Sequence, residues 1–223
     1  MSGVPRTPNF ERPMPMKDFL QSLQTQAWRT SGARYNASRR LRRRDWFATF
    51  SIAMFSAIGI ALTVVQKVYG PKAGSELDNY LTVLSVFIGL FVIVISLIEW
   101  GFSGSVKADA LHRNAELLNQ HQRKIAQALA TPGDLSAALV TLLREEYEAI
   151  KDSCSYNHEP VDDELFRAQQ RLSREYLDKD GVPQMSWFAG KWSILIDQWS
   201  SAKIFLAFWV MILGLLVITP WRG

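Results

Sequence analysis

Charged residues vanish from three stretches of the sequence: Trp46 to Gln66 (21 residues), Asn79 to Ile98 (20) and Ile204 to Trp221 (18). A bilayer core of about 30 Å takes about 20 helical residues at about 1.5 Å each, so each stretch reads as a membrane-crossing helix. The third is the shortest and ends at Pro220, with Trp209 and Trp221 placed to suit membrane interfaces. Its alternative is a helix packed on the other two without fully crossing. Gly70-Pro71-Lys72-Ala73-Gly74 is too short to fold alone and makes the first two spans an antiparallel hairpin.

Between the spans the pattern is helical and polar. From Lys17, apolar Phe19, Leu20, Leu23, Ala27 and Trp28 recur at three- and four-residue spacing, with Gly32 a place for a break. Gly101 and Gly104 suggest a hinge at the membrane surface, followed by a helix over Val106–Ala130 that Thr131-Pro132-Gly133 ends. Its Leu111, Ala115, Leu118, Ile125 and Leu129, with Gln122, form a heptad row that can join another helix or dock on its own domain. Asp134 is expected to cap a helix from Leu135 to about Lys151. Another should run from Asp162 to about Asp178-Lys179-Asp180-Gly181.

The expected fold is an all-α membrane protein: a transmembrane helical hairpin, a cytoplasmic helical region and a third, C-terminal transmembrane helix. Its parts are a flexible Pro-rich arm (1–16), a basic cytoplasmic helix (17–45), the hairpin (46–101), the cytoplasmic helices (102–182), a Trp-rich juxtamembrane segment (183–202) and the third span (203–223).

Charge sets the orientation. Residues 1–45 hold ten Lys/Arg and three Asp/Glu, net +7, whereas residues 102–203 hold twelve and fifteen, net −3. Arg39, Arg40, Arg42, Arg43 and Arg44 stand directly before the first span, with no acid between Asp18 and Asp45. By the positive-inside rule the N-terminus and residues 102–203 are cytoplasmic and the hairpin turn lies outside. The five arginines are expected to fix topology and touch lipid headgroups. A signal peptide does not fit, because 45 residues precede a 21-residue apolar stretch. Cys154, the single cysteine, makes no disulfide within the chain.

Catalytic chemistry is hard to find. His112 and His121, nine residues apart on one predicted helix, face opposite ways. Cys154 and His158 lack a second ligand pair, and no phosphate loop or nucleophile elbow is present. Glu159, Asp162, Asp163 and Glu164 could be imagined around a divalent metal, but a solvated helix N-terminus explains them more simply. The expectation is a non-enzymatic protein with no metal.

The spans carry a different signal. Ser85, Gly89, Val92, Ser96 and Glu99 follow one another at four, three, four and three on one row of the second span. The first has Thr49, Ala53, Ser56, Gly59 and Thr63 similarly placed. Such rows face protein or water rather than lipid. They serve tight packing, or a pore built from several copies with Glu99 as a ring of charge at the cytoplasmic mouth.

Three passages together resemble a known family: Arg34-Tyr35-Asn36-Ala37-Ser38-Arg39-Arg40-Leu41; Leu84-Ser85-Val86 through Glu99 and Ser105 to Ala115; and Tyr147-Glu148-Ala149-Ile150 with Asn157-His158 and Asp162. The pattern, over about residues 17–177, is similar to the SLATT domain. This is a two-transmembrane effector domain associated with bacterial nucleotidyltransferases and nucleotide-sensing modules. The resemblance implies an oligomeric pore in the bacterial inner membrane, an effector of defence against phage, gated by a nucleotide or oligonucleotide from a partner nucleotidyltransferase. Four or more subunits would be needed to enclose the pore. The alternative is a non-conducting scaffold that recruits a soluble partner. The C-terminal tail lies beyond a two-span domain, and no fused sensor is visible. A signal bound by the chain itself would use the cations Arg113, Arg123, Lys124, Arg167, Arg171 and Arg174. Trp187 and Trp192, beside Lys191, would offer stacking surfaces, although tryptophans before a span also anchor at an interface.

Overall fold

The computed structural model describes residues 15–218 except 71, 132 and 134. The expected flexible arm falls, but for its last two residues, outside the described residues. Six α-helices account for the fold: α1 (Met16–Val68), α2 (Glu76–Phe102), α3 (Gly104–Ala130), α4 (Ala137–Asp152), α5 (Pro160–Gln169) and α6 (Trp187–Val217), with a 3-10 turn at Arg174–Tyr176.

α1 is one helix of 53 residues, about 80 Å long at about 1.5 Å per residue. It does not break at Gly32, because that glycine serves packing: a Cβ there would overlap the ring of Phe166 on α5. Its partner is the α2–α3 pair, antiparallel to it. The hinge between these two lies at Ser103 (φ 51°, ψ 47°) rather than at either neighbouring glycine. Gly101 is helical, and a Cβ on Gly104 would press within 3.3 Å of the Phe102 ring.

The non-membrane end is a water-type core. Leu20, Leu23 and Ala27 of α1 pack with Leu118 and Ile125 of α3 and Leu143 and Tyr147 of α4. The α3 heptad row therefore docks within its own chain. Each fully buried aliphatic there contributes about 1.5–3 kcal/mol. Ser136, not Asp134, caps α4 by accepting from the Leu139 N–H at 3.2 Å; Asp134 is outside the described residues. α5 starts earlier and ends sooner than expected. Pro160 occupies its first turn, Glu159 and Asp162 cap it reciprocally, and the chain leaves the helix at Gln170. Arg167, Arg171 and Arg174 thus share no helix face: only Arg167 lies on α5.

The other end is a three-helix bundle. Phe55 and Leu62 of α1, Leu81, Leu84 and Ile88 of α2, and Ile212 of α6 form its core. α6 joins the Trp-rich segment and the third apolar stretch in one helix capped by Ser186. It runs the full height of the hairpin. Before its midpoint Arg43 of α1 pairs with Asp197, and the Ser201 hydroxyl donates to the Arg40 carbonyl at 3.4 Å. Near its end the Tyr80 hydroxyl donates to the Leu215 carbonyl at 2.8 Å. Among the described residues three helices are long and apolar enough to cross a membrane.

Candidate functional site

The two polar rows of the hairpin fall on the same side of the bundle. On α2, Ser85, Gly89, Val92, Ser96 and Glu99 lie roughly a quarter turn from the buried row Leu81, Leu84, Ile88 and Ile95, at about 100° per residue. On α1, Thr49, Ala53, Ser56, Gly59 and Thr63 are displaced in the same rotational sense from Ala48, Ser51, Phe55 and Leu62. Because the helices are antiparallel, equal displacements carry both rows to one side of the pair. α6 occupies the other side: Trp209 Nε1 donates to Ser51 Oγ at 3.1 Å, and Phe208 meets the Phe91 ring at 4.5 Å between centroids. The result is one face of small and hydroxyl residues opposite α6.

That face is only partly satisfied by its own chain. The hydroxyls of Ser56, Thr63 and Ser96 donate to the carbonyls of Ile52, Gly59 and Val92 at 2.7–3.0 Å. Ser85 Oγ is buried without a hydrogen-bond partner. A Cβ on Gly59 would lie 3.5 Å from Ile88, whereas Gly89 is open. Glu99 is not a free charge: Arg44 donates to it at 2.7 Å, and the Arg44 guanidinium lies 3.6 Å from the centre of the Phe102 ring.

Four of the five clustered arginines find carboxylates far away in sequence. Arg40 forms a double hydrogen bond to Asp162 at 2.9 and 3.0 Å and reaches Glu159 at 3.1 Å. Arg42 meets Asp109 at 2.9 Å, Arg43 meets Asp197, and Arg44 meets Glu99. Arg39 is exposed and has no ion pair among the described residues. Asp162 is wholly buried. Burial works against the Arg40 charge, but Asp162 and Glu159 outweigh it and hold its pKa above the ordinary value. The row thus also clamps α2, α3, α5 and α6 to α1.

The non-membrane end carries a polar groove on α1 beside the α4–α5 loop. Two adjoining clefts of about 470 and 530 Å³ share Thr30 and His158. Arg29, Arg34 and Lys151 bring cations to it, Asp152 and Asp163 bring carboxylates, and Tyr147 and Tyr156 bring rings; Arg29 pairs with Asp163 at 3.5 Å and Lys151 with Glu148. Arg34 is 3% exposed. It donates to Asn114 Oδ1 and, at 3.4 Å, to the Lys151 carbonyl, while its Nε stays unpartnered. Burial lowers its pKa, and burial with nearby Arg34 lowers that of His158, whose Nδ1 is also buried and unpartnered. Phosphate oxygens and flat bases are the chemistry such a groove can take.

The ligand residues expected from sequence do not gather there. Arg113 and Arg123 are exposed on α3, and Lys124 is paired with Glu146 at 2.7 Å. Arg167 lies 5.9 Å from the Tyr176 ring, Arg171 flanks Gly190, and Arg174 is exposed. Trp187 and Trp192 are exposed on α6, with Lys191 5.8 Å from the Trp187 ring. Sequence reasoning placed Arg34 and Asn114 only within family-like passages, and read Asp162 as a helix start and a solvated carboxylate rather than as the partner of Arg40. Asn114 could have been found as a polar residue beside Leu111, Ala115 and Leu118 on the buried face of α3. Among the described residues no three His, Cys, Asp or Glu side chains gather as a metal site.

These features define an all-α membrane protein, a three-helix apolar bundle carrying a helical polar region on α1 and α3. The chain matches the model of the SMODS and SLOG-associating 2TM effector domain family 5 over residues 16–220 and belongs to that family. The match takes in α6, so the C-terminal tail is part of the family's domain rather than an addition beyond residue 177. No curated protein and no solved structure matches the chain.

Proposed function

We propose that this protein is a pore-forming effector of a bacterial anti-phage system. Several copies, four or more, assemble in the inner membrane with the α1–α2 polar face turned to a shared water path. The observation that carries this reading is the merging of the two polar rows into one face opposite α6. Polar surface at membrane depth favours water or protein over lipid. The Arg39–Arg44 row supports a cytoplasmic location for residues 16–45 and 104–203. A nucleotide or oligonucleotide, made by a partner nucleotidyltransferase, acts as the regulatory ligand; the family's association with SMODS and SLOG supports such a partner. The groove at Arg29, Arg34, Lys151 and His158 is its proposed seat. No catalytic step is assigned to the chain.

Cysteine accessibility tests the pore. In a Cys154→Ser background, single cysteines at Ser56, Ser85, Gly89 and Ser96 are placed in liposomes and treated with a membrane-impermeant thiol reagent. The reading expects modification at these positions, with a change in ion leak, and protection at lipid-facing Leu90 and Val94. Equal protection at all six positions refutes it. The scaffold reading is favoured by the exposed Trp187, Phe188 and Trp192 on the non-membrane part of α6. It expects a co-purifying soluble partner and no leak.

A further inference from the structure

A second cavity, of about 490 Å³, opens between α1, α5 and α6. Arg39, Arg42, Arg43 and Asp197 line it together with apolar Leu165 and Ile194. Three features mark it as more than a surface dent. Arg39 has no carboxylate partner among the described residues. The Arg43–Asp197 pair uses one nitrogen and one oxygen, leaving Arg43 Nε and Asp197 Oδ1 buried and unpartnered. Asp197 is 2% exposed, and a buried polar atom left unpaired costs about 1–3 kcal/mol. Two residues that line the cavity therefore carry one donor and one acceptor without a partner behind its surface.

Its depth is the third feature. Arg43 stands three residues before the uncharged stretch that begins at Trp46, and Gln198, which also lines the cavity, six before Ile204. At about 1.5 Å per residue these are offsets of about 5 and 9 Å. The headgroup layer extends about 5–7 Å beyond the hydrocarbon on each side, so the cavity opens at its outer edge, with Arg43 inside the layer and Arg39 and Asp197, each seven residues from its uncharged stretch, a few ångström beyond it. Exposed Trp46, Trp100 and Trp199 ring the bundle near the same height, as aromatic belts do.

We propose that this groove binds a phosphate ester carrying a free hydroxyl, of the phosphoglycerol class. The phosphate accepts from Arg39 and Arg43, the hydroxyl donates to Asp197 Oδ1, and Leu165 and Ile194 take the ester's carbon side. Such a ligand satisfies both orphaned atoms at once, and its anionic charge matches an arginine-rich wall. The inference is independent of whether the chain conducts.

The test uses full-length protein purified in detergent. Native mass spectrometry counts retained phosphatidylglycerol against phosphatidylcholine, and glycerol 3-phosphate is added as the soluble source of the same chemistry. Losing one charge-assisted contact is worth about tenfold in affinity. Phosphatidylglycerol retention should therefore fall about tenfold in Arg39→Gln and clearly in Arg43→Gln, while Arg113→Gln on α3 behaves as wild type. Displacement of the lipid by millimolar glycerol 3-phosphate assigns the groove to a soluble ester; displacement only by lipid assigns it to a membrane headgroup. Equal retention of the two lipids by wild type, or an Arg39→Gln variant that matches Arg113→Gln, overturns the proposal.

Discussion

Asp162 ties two helices together outside the membrane bundle. It is wholly buried, accepts two hydrogen bonds from Arg40, and accepts the Glu159 N–H at 2.8 Å as half of the α5 capping box. Asp162→Ala leaves the Arg40 side chain, 11% exposed, without its main counter-charge. Breaking one side of a buried pair costs about 3–5 kcal/mol, and losing a cap costs about 1 kcal/mol more. Glu159 stays within 3.1 Å of Arg40 and offsets part, so a net loss of about 3 kcal/mol is expected. For a chain of this length that lowers Tm by about 6–12 °C, readable by circular dichroism in detergent. The double variant Arg40→Met with Asp162→Leu removes both charges at similar volume and should recover most of the loss, since apolar replacement of a buried pair is often neutral. A Tm drop below about 2 °C in Asp162→Ala would refute the clamp between α1 and α5. A double variant no better than the single one would refute the electrostatic explanation.

Two further outcomes follow from the same packing. Gly32→Ala would stabilise an ordinary helix interior by about 1 kcal/mol. Here overpacking against Phe166, at about 1–3 kcal/mol, should reverse the sign, with partial recovery when Phe166→Leu is added; a raised Tm in Gly32→Ala would show that α5 does not sit on α1 there. His121 and His158 are held below the ordinary histidine value, first by burial, with Lys124 and Arg34 respectively adding to it and Glu146, Asp162 and Asp163 opposing. The unfolded chain therefore takes up protons first as pH falls, so stability holds above about pH 6.5 and declines below it. Changing both histidines to Gln should flatten Tm between pH 7 and 5, and an unchanged slope would remove them as the cause.

The membrane architecture was legible because charge is segregated along the chain: uncharged stretches and the row Arg39–Arg44 need no tertiary knowledge to interpret. The 3.6-residue period likewise placed Leu20, Leu23, Leu118 and Ile125 on buried faces before any packing partner was known. What lay hidden depends on contacts between distant residues. Arg40 and Asp162 are 122 residues apart, and Arg43 and Asp197 are 154 apart; without the fold, the arginines read as unpaired. Gly32 looked like a breaker because its true reason, the ring of Phe166, comes from another helix. Ser103 adopted the left-handed turn that two neighbouring glycines seemed to claim, since both were needed elsewhere or already helical. The cation candidates scattered because Arg113, Arg123 and Lys124 lie on α3, while α5, expected to run to about residue 178, ends at Gln169 and so keeps only Arg167 of the other three.

Electrical recording tests the central claim most directly. Purified full-length protein is reconstituted into planar bilayers with potassium chloride on both sides, alone and with candidate cyclic and linear oligonucleotides on the side facing α3–α5. The account predicts stepwise currents whose amplitude changes when Ser85→Cys or Ser96→Cys is modified, and whose frequency depends on the added nucleotide. Bilayers that contain folded protein at every density tried, yet stay silent with and without nucleotide, would contradict it.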